Sequence, residues 1–249
     1  MFAYQLYSSR NFPPLDAACK MLAAAGITDT EGFGGLYSDE ASLASTAAAL
    51  KEAGIAMKTG HFGLAQIEST PDWALKVAGT LGLERLYVPH IVAQDRPTDA
   101  AGWHAFGARL KKAFAPIRAA GFGAGWHNHD FEFKALPDGT LPITALLEGG
   151  PDLEVELDVA WVVRGGGDPI AWIRNYAGRI SAAHVKDIAP TGENLDEDGW
   201  ADVGYGTVDW SAVMAALRTA GCKHYVLEHD NPSDHRRFAT RSIAAAKAL

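Results

Sequence analysis

The sequence predicts an α/β protein, a single (β/α)8 TIM barrel spanning residues 1–249, and three observations lead there. The chain of 249 residues matches the ~250 residues that an undecorated barrel of this kind requires. Strand-like and helix-like segments alternate eight times, at a spacing of roughly thirty residues. The third observation is the stretch 153–187, whose first strand places Glu154, Glu156 and Asp158 on one face and Leu153, Val155 and Leu157 on the other. Parallel strands joined by crossover helices are covered on both faces, so an acidic face has to look into a closed barrel.

Taken in order, residues 2–8 alternate as a first strand, and Pro13-Pro14 opens a helix that Gly26 ends. Residues 27–36 are glycine-rich, but their place in the order and Glu31 make them a second strand with a carboxylate near its mouth. An alanine-rich helix over 38–53 stops at Gly54, and 55–62 is the third strand, which delivers His61 at its C-terminal end. Pro71 starts a helix through Leu81, and 85–90 is the fourth strand, ending in His90. A long helix follows over 97–120, where Trp103, Phe106, Leu110, Phe114 and Ile117 recur at helical spacing and read as a core stripe. The fifth strand, 123–129, sets Gly123, Gly125, His127 and His129 on one face.

In the sixth unit the strand that starts at Leu153 is ended by Gly165-Gly166-Gly167, and Asp168 caps a helix that begins at Pro169 and runs to Tyr176. Gly178 stops that helix, and 180–186 is the seventh strand, with Ala182, His184 and Lys186 on one face. Residues 189–205 lack hydrophobic periodicity and read as a long loop at the functional face. Asp209 caps a helix over 210–219, 223–228 is the eighth strand, and Ser233 or Asp234 starts the last helix.

Composition narrows the classes of function. A formal net charge of -8 argues against a polyanion such as duplex DNA as partner, because such ligands favour a basic surface. The chain lacks an apolar run of about 18 residues and a charged, then apolar, leader, so the expected location is the cytoplasm with no membrane partner. Cys19 and Cys222 stand far apart without metal-ligand spacing and read as reduced core thiols.

The barrel order gathers His127 and His129, Asp158, His184 and Glu228 at one mouth, with His61 and His90 opposite. Carboxylates and imidazoles converging in this number point to one divalent metal ion. Manganese, cobalt or zinc suits the mixed donor set, and magnesium is also compatible. Buried, hydrogen-bonded polar groups that merely fill the barrel are the alternative.

The segments WHNHDFEF (126–133), ELDVAWVVRGGGDP (156–169), RISAAHVKD (179–187), DVGYGTVDW (202–210) and YVLEHDNPSD (225–234) together resemble the sugar phosphate isomerase/epimerase family of the xylose isomerase-like TIM-barrel superfamily. The second half of the chain carries the motifs, and the first half resembles the family by architecture alone. The resemblance implies that Asp158, His184 and Glu228 are metal ligands and that Lys186, Glu132 and Arg164 face substrate. His61, His90 and His129 complete the expected substrate contacts. Many members carry a glutamate on strand five, often in Glu-Asn-His, where this chain has His127-Asn128-His129. An imidazole is therefore expected as the fourth ligand, His127 first and His129 as the alternate, and it would change the charge and basicity of the site. His127 and Glu228 are the expected proton-transfer groups, and Lys186 is expected to hold a hydroxyl, carboxylate or phosphate or to help a hydroxyl leave.

The implied function is metal-dependent isomerisation or epimerisation of a keto sugar or related polyol, by proton abstraction next to a carbonyl. The His-Asn-His pattern also resembles a subgroup with inosose dehydratase-like and keto-sugar lyase-like members, so elimination stands beside isomerisation. An apurinic-site endonuclease, which the acidic charge disfavours, and a non-catalytic sugar-binding barrel are the further alternatives. The expected partner is a small carbohydrate substrate, with no nucleic acid or membrane, and a homo-oligomer is compatible with the sequence.

Overall fold

The computed structural model describes residues 2–249. Eight parallel strands close into a barrel: β1 (Phe2–Gln5), β2 (Asp29–Gly32), β3 (Ala56–His61), β4 (Arg85–Val88), β5 (Gly123–His127), β6 (Glu154–Asp158), β7 (Ile180–Val185) and β10 (His224–Leu227). A two-stranded antiparallel ribbon, β8 (Asp187–Ile188) with β9 (Trp200–Ala201), lies between the last two barrel strands in sequence. Neighbours in sequence are neighbours in the barrel, and β10 closes onto β1.

The helices pack outside the barrel, where Leu22, Val77, Leu110, Leu146, Ile173, Leu217 and Phe238 are buried against the outward faces of the strands. Each such side chain is worth ~1.5–3 kcal/mol of transfer free energy. Two helices, Ala100–Ala113 and Pro142–Gly149, approach especially closely. A Cβ on Gly107 would lie 1.9 Å from the Leu146 carbonyl oxygen, and one on Gly149 would lie 1.9 Å from that of His104. At the N-terminal end of the barrel Arg85 bonds both Glu154 and His224 at 2.9 Å, which plugs the end opposite the ionisable mouth.

Four features differ from the sequence expectation. The helix expected over 97–120 is two, Ala100–Ala113 and Ala115–Ala119, because Pro116 has no N–H with which to continue the ladder. The strand that starts at Leu153 ends at Asp158 rather than at the glycine run, and Val159–Arg164 is a helix. Its β-branched residues suit a strand, but Asp158 turns its side chain onto the Trp161 N–H and caps the new helix. The loop over 189–205 carries β9 and a short 3-10 turn, Leu195–Glu197. Helices Leu64–Ser69 and Pro142–Gly149 lie where the sequence pattern assigned none. No helix among the described residues is long and apolar enough to cross a membrane.

Candidate functional site

Register sets the site. His184 pairs with Asp158 on one side and with Val226 on the other, so Glu228, two residues beyond Val226, comes up beside them at the C-terminal mouth. Asp158, His184 and Glu228 are buried, and each offers a ligand atom within 4.8 Å of the other two. Glu228 Oε2 lies 2.8 Å from His184 Nδ1, while Asp158 Oδ2 stands 3.8 Å from the same nitrogen and has no hydrogen-bond partner. A buried carboxylate oxygen without a partner costs free energy unless a cation meets it. One imidazole and two carboxylates in this arrangement fit a divalent ion.

Asp158 is fixed through its backbone as well as its cap. Asn128 Oδ1 accepts from the Asp158 N–H at 3.0 Å, and Asn128 Nδ2 donates to the Asp158 carbonyl at 3.1 Å. Strand β5 has ended at His127, and the Asn128 side chain carries the pairing with β6 one step further. Gly125 lets the two strands close up below, since a Cβ there would lie 2.1 Å from the Glu154 carbonyl oxygen.

His127, expected beside Asp158 and Glu228, joins a different group. It pairs in register with Glu156, and its Nδ1 lies 3.1 Å from Glu156 Oε2. His61, His127, Glu156 and His184 form a second cluster whose ligand atoms also lie within 4.8 Å of one another. Glu156 Oε2 is 2.6 Å from His61 Nε2, and Glu31 Oε1 is 2.7 Å from His184 Nε2. Gln5 Nε2 donates to that Glu31 oxygen at 2.7 Å. The resemblance gives neither Glu31 nor Glu156 a role, although Glu156 opens one of its motifs and the period of two puts it on the same face as Asp158.

These neighbours divide the titrating groups. Burial alone would hold His184 neutral, but Glu228, Glu156 and Glu31 raise its pKa well above the usual imidazole value. Burial lowers the His127 pKa well below that value, with the imidazoles of His184 and His61 adding to the effect. Burial raises Asp158 to about 6, against the opposing pull of Lys186 and His184. For Glu228 burial works upward, yet Lys186 and His184 prevail and hold it well below the usual carboxylate range. Lys186 is itself fully buried, paired with Asp230, with Glu228 at 3.3 Å and with Asp158 at 3.7 Å. Its ammonium lies 4.2 Å from the ring centre of Trp200 and 4.9 Å from that of Trp161. Burial would lower its pKa, but the three carboxylates raise it.

Above this layer opens a cleft of about 550 Å³, walled by Tyr7, Phe33, Phe62 and Trp161 and edged by Arg10 and Asp230. His61, His90, His127, His129 and Glu228 line it, whereas Lys186 lies beneath. Such a volume, lined by both aromatic and polar side chains, suits a small polyhydroxylated ligand.

Glu132 and Arg164, expected to face substrate, do not reach the cleft. Both Glu132 oxygens are taken within the chain, Oε1 by Trp126 Nε1–H and Oε2 by the His129 N–H, each at 2.9 Å, so the residue holds the turn that presents His129. Arg164 lies 3.1 Å from the Trp200 ring centre and donates to the Asp198 carbonyl at 2.7 Å, bracing the loop after β7. Asp187, next to Lys186, is also structural. Its oxygens accept from the N–H groups of Gly204 at 2.9 Å, Val208 at 3.1 Å and Gly206 at 3.2 Å, which ties that loop to the barrel.

Known proteins share the fold across the whole chain. A sugar phosphate isomerase/epimerase from Parabacteroides distasonis is 21% identical, with a TM-score of 0.83, over 100% of this chain and 93% of that one. The probable 3-DHS dehydratase AsbF from Bacillus anthracis is 13% identical, with a TM-score of 0.74, over 99% of this chain and 98% of that one. The IOLI protein, solved with a bound zinc atom, is 14% identical, with a TM-score of 0.74, over 99% and 95% respectively. Among curated proteins no sequence matches. Residues 39–248 match the xylose isomerase-like TIM barrel family, and the chain belongs to that family.

Proposed function

We propose that this chain is a metal-dependent isomerase or epimerase that moves a proton next to the carbonyl of a keto sugar or related polyol. The observation that carries the reading is the convergence of Asp158, His184 and Glu228 under a cleft of about 550 Å³, with Asp158 Oδ2 buried and without a hydrogen-bond partner. A divalent cation held by these three residues supplies Lewis-acid polarisation of a carbonyl and favours negative charge on its oxygen.

The chain's own residues do the rest. Glu228 lines the cleft and is held ionised by Lys186 and His184, so it can accept a proton from substrate carbon. His127 also lines the cleft and is neutral, with Nδ1 directed at Glu156, so its other ring nitrogen is the one left to exchange a proton with substrate. Tyr7, Phe33, Phe62 and Trp161 offer apolar faces to a sugar ring and exclude water from the reacting carbon. Lys186 keeps the charges of Glu228 and Asp158 balanced from below. On this reading residues 1–249 work as one unit in the cytoplasm on a small carbohydrate, and a homo-oligomer is compatible with it.

Elimination by a lyase or dehydratase shares the proton abstraction. Two imidazoles that line the cleft, His90 and His129, favour it as the second reading, because a ring N–H of either can hydrogen-bond a departing hydroxyl. The test is incubation of metal-loaded protein in D2O with a panel of keto sugars and inososes. Deuterium is expected at the carbon beside the carbonyl, slowed at least ~100-fold by Glu228→Gln. Incorporation unchanged in both Glu228→Gln and His127→Ala removes these groups from the reaction, and an unsaturated product selects elimination.

A further inference from the structure

Barrels of this architecture frequently hold a phosphate in the loops after their last two strands, at backbone N–H groups and a helix N-terminus. In this chain those donors are already engaged by its own carboxylates. The N–H groups of Gly204, Gly206 and Val208 all donate to Asp187. Glu197 takes the Ser233 N–H at 2.7 Å and the Arg237 guanidinium at 2.9 Å, and Asp234 takes the first N–H groups of the last helix. Arg10 is the one permanent cation among the described residues that line the cleft. Its Nη1 is shared between the carbonyl oxygens of Tyr7 and Asp230, and its guanidinium lies 3.9 Å from the Tyr7 ring centre. Three carboxylates, Asp198, Glu228 and Asp230, line the same cleft.

We propose that Asp198 selects the substrate: its carboxylate accepts the hydroxyl groups of an uncharged sugar or polyol and turns away one that carries a phosphate or carboxylate. The inference rests on the reading of the cleft as a carbohydrate site.

Asp198 stands in the left-handed region, at φ 58°, where glycine fits without a Cβ clash and other residues are uncommon. A side chain kept in that conformation at the edge of a cleft points to a use for the side chain. The surroundings hold the conformation in place. Arg164 donates to the Asp198 carbonyl at 2.7 Å, the Gly199 N–H donates to Asn194 at 2.8 Å, and Glu197 ties the preceding residue to Ser233 and Arg237. The Asp198 carboxylate, by contrast, makes no hydrogen bond or ion pair among the described residues, although it lines the cleft. Both of its oxygens are therefore free to accept, and a carboxylate takes two neighbouring hydroxyls as well as it takes one. A phosphate brought to the same rim meets Asp198 and Asp230 as like charges in a concave site, where the field is focused. Lys186 cannot relieve that repulsion, since it lies beneath Trp161 and Trp200 and is paired with Asp230, Glu228 and Asp158.

The test is calorimetric binding to the full chain, supplied with manganese, of a hexitol and of its terminal phosphate ester. A hexitol has no carbonyl, so binding is read without reaction. Wild type should prefer the hexitol by ~10–100-fold. Asp198→Asn should narrow that preference at least ~5-fold, and Asp198→Lys should abolish or reverse it. The side chain is exposed, so both variants should keep the wild-type Tm. Equal or tighter binding of the ester by wild type, binding of neither compound, or a preference unchanged in both variants overturns the inference. Deuterium exchange separates it from the reading it rests on. Exchange that runs better on a ketose phosphate than on the free ketose overturns this selectivity and leaves the reaction standing. A hexitol preference set by Asp198, in a protein that exchanges no substrate carbon, supports the selectivity and overturns the reaction.

Discussion

Asn128 is the residue on which the geometry of Asp158 most directly depends, and its removal should be felt both in stability and in metal affinity. The side chain is fully buried and makes two hydrogen bonds, 3.0 and 3.1 Å long, to the backbone N–H and carbonyl of Asp158, itself fully buried. Asn128→Ala deletes both bonds and leaves a donor and an acceptor without partners. A lost net bond is worth ~1 kcal/mol, and an unpaired buried group ~1–3 kcal/mol, so the combined cost is about 3–5 kcal/mol. For a chain of this size each kcal/mol moves Tm by ~2–4 °C, which gives a fall of roughly 6–20 °C. Loosening the backbone under a ligand that is itself intact should weaken metal binding by ~10–100-fold, the usual effect of removing a supporting hydrogen bond. Calorimetry of the metal-free protein gives the first quantity, and a competitive chelator titration gives the second. An Asn128→Ala protein with unchanged Tm and unchanged metal affinity would refute the claim that this side chain extends the β5–β6 pairing to hold Asp158.

The loop after β7 should be sensitive to acid through Glu197. Burial pushes the Glu197 pKa up, but donation by Ser233 and Arg237 prevails and holds it below the usual value. A carboxylate depressed in the folded state stabilises above its unfolded pKa of ~4.3, and that contribution is lost as pH falls through the lower folded value. Glu197→Gln should therefore lower Tm near neutrality, with the gap to wild type closing as pH drops below ~4, whereas a gap independent of pH would show that the charge is immaterial. The protein should neither cut nor retain abasic duplex DNA, given a net charge of -8. Incision that depends on Glu228 would reverse that expectation.

Much of this architecture is written in local patterns. Helix stops at Gly54, Gly82 and Gly178 need a left-handed backbone, which glycine adopts without a Cβ clash, and each has positive φ in the structure. Caps at Asp168, Asp209 and Asp234 are local in the same way, since each side chain bonds N–H groups two or three residues ahead. The period of two in β6 and β7 was enough to direct Asp158 and His184 into the barrel, and the order of units was enough to bring Glu228 to them.

What the sequence could not decide depends on contacts between distant strands. Whether Val159 to Arg164 extends a strand or starts a helix depends on where the barrel wall ends, and the β-branched pattern is the same in either case. His127 was placed with Asp158 by motif, but the register of β5 on β6 sets it against Glu156. Lys186 shares the face of His184, but the closing of Trp161 and Trp200 over its ammonium keeps it beneath the cleft. Glu132 and Arg164 carry charges that suit a ligand, and only the packed structure shows those charges spent on Trp126, His129, Asp198 and Trp200. Alternation fixes which way a side chain points; which group it meets there is set by strand register and by the packing of segments far apart in the chain.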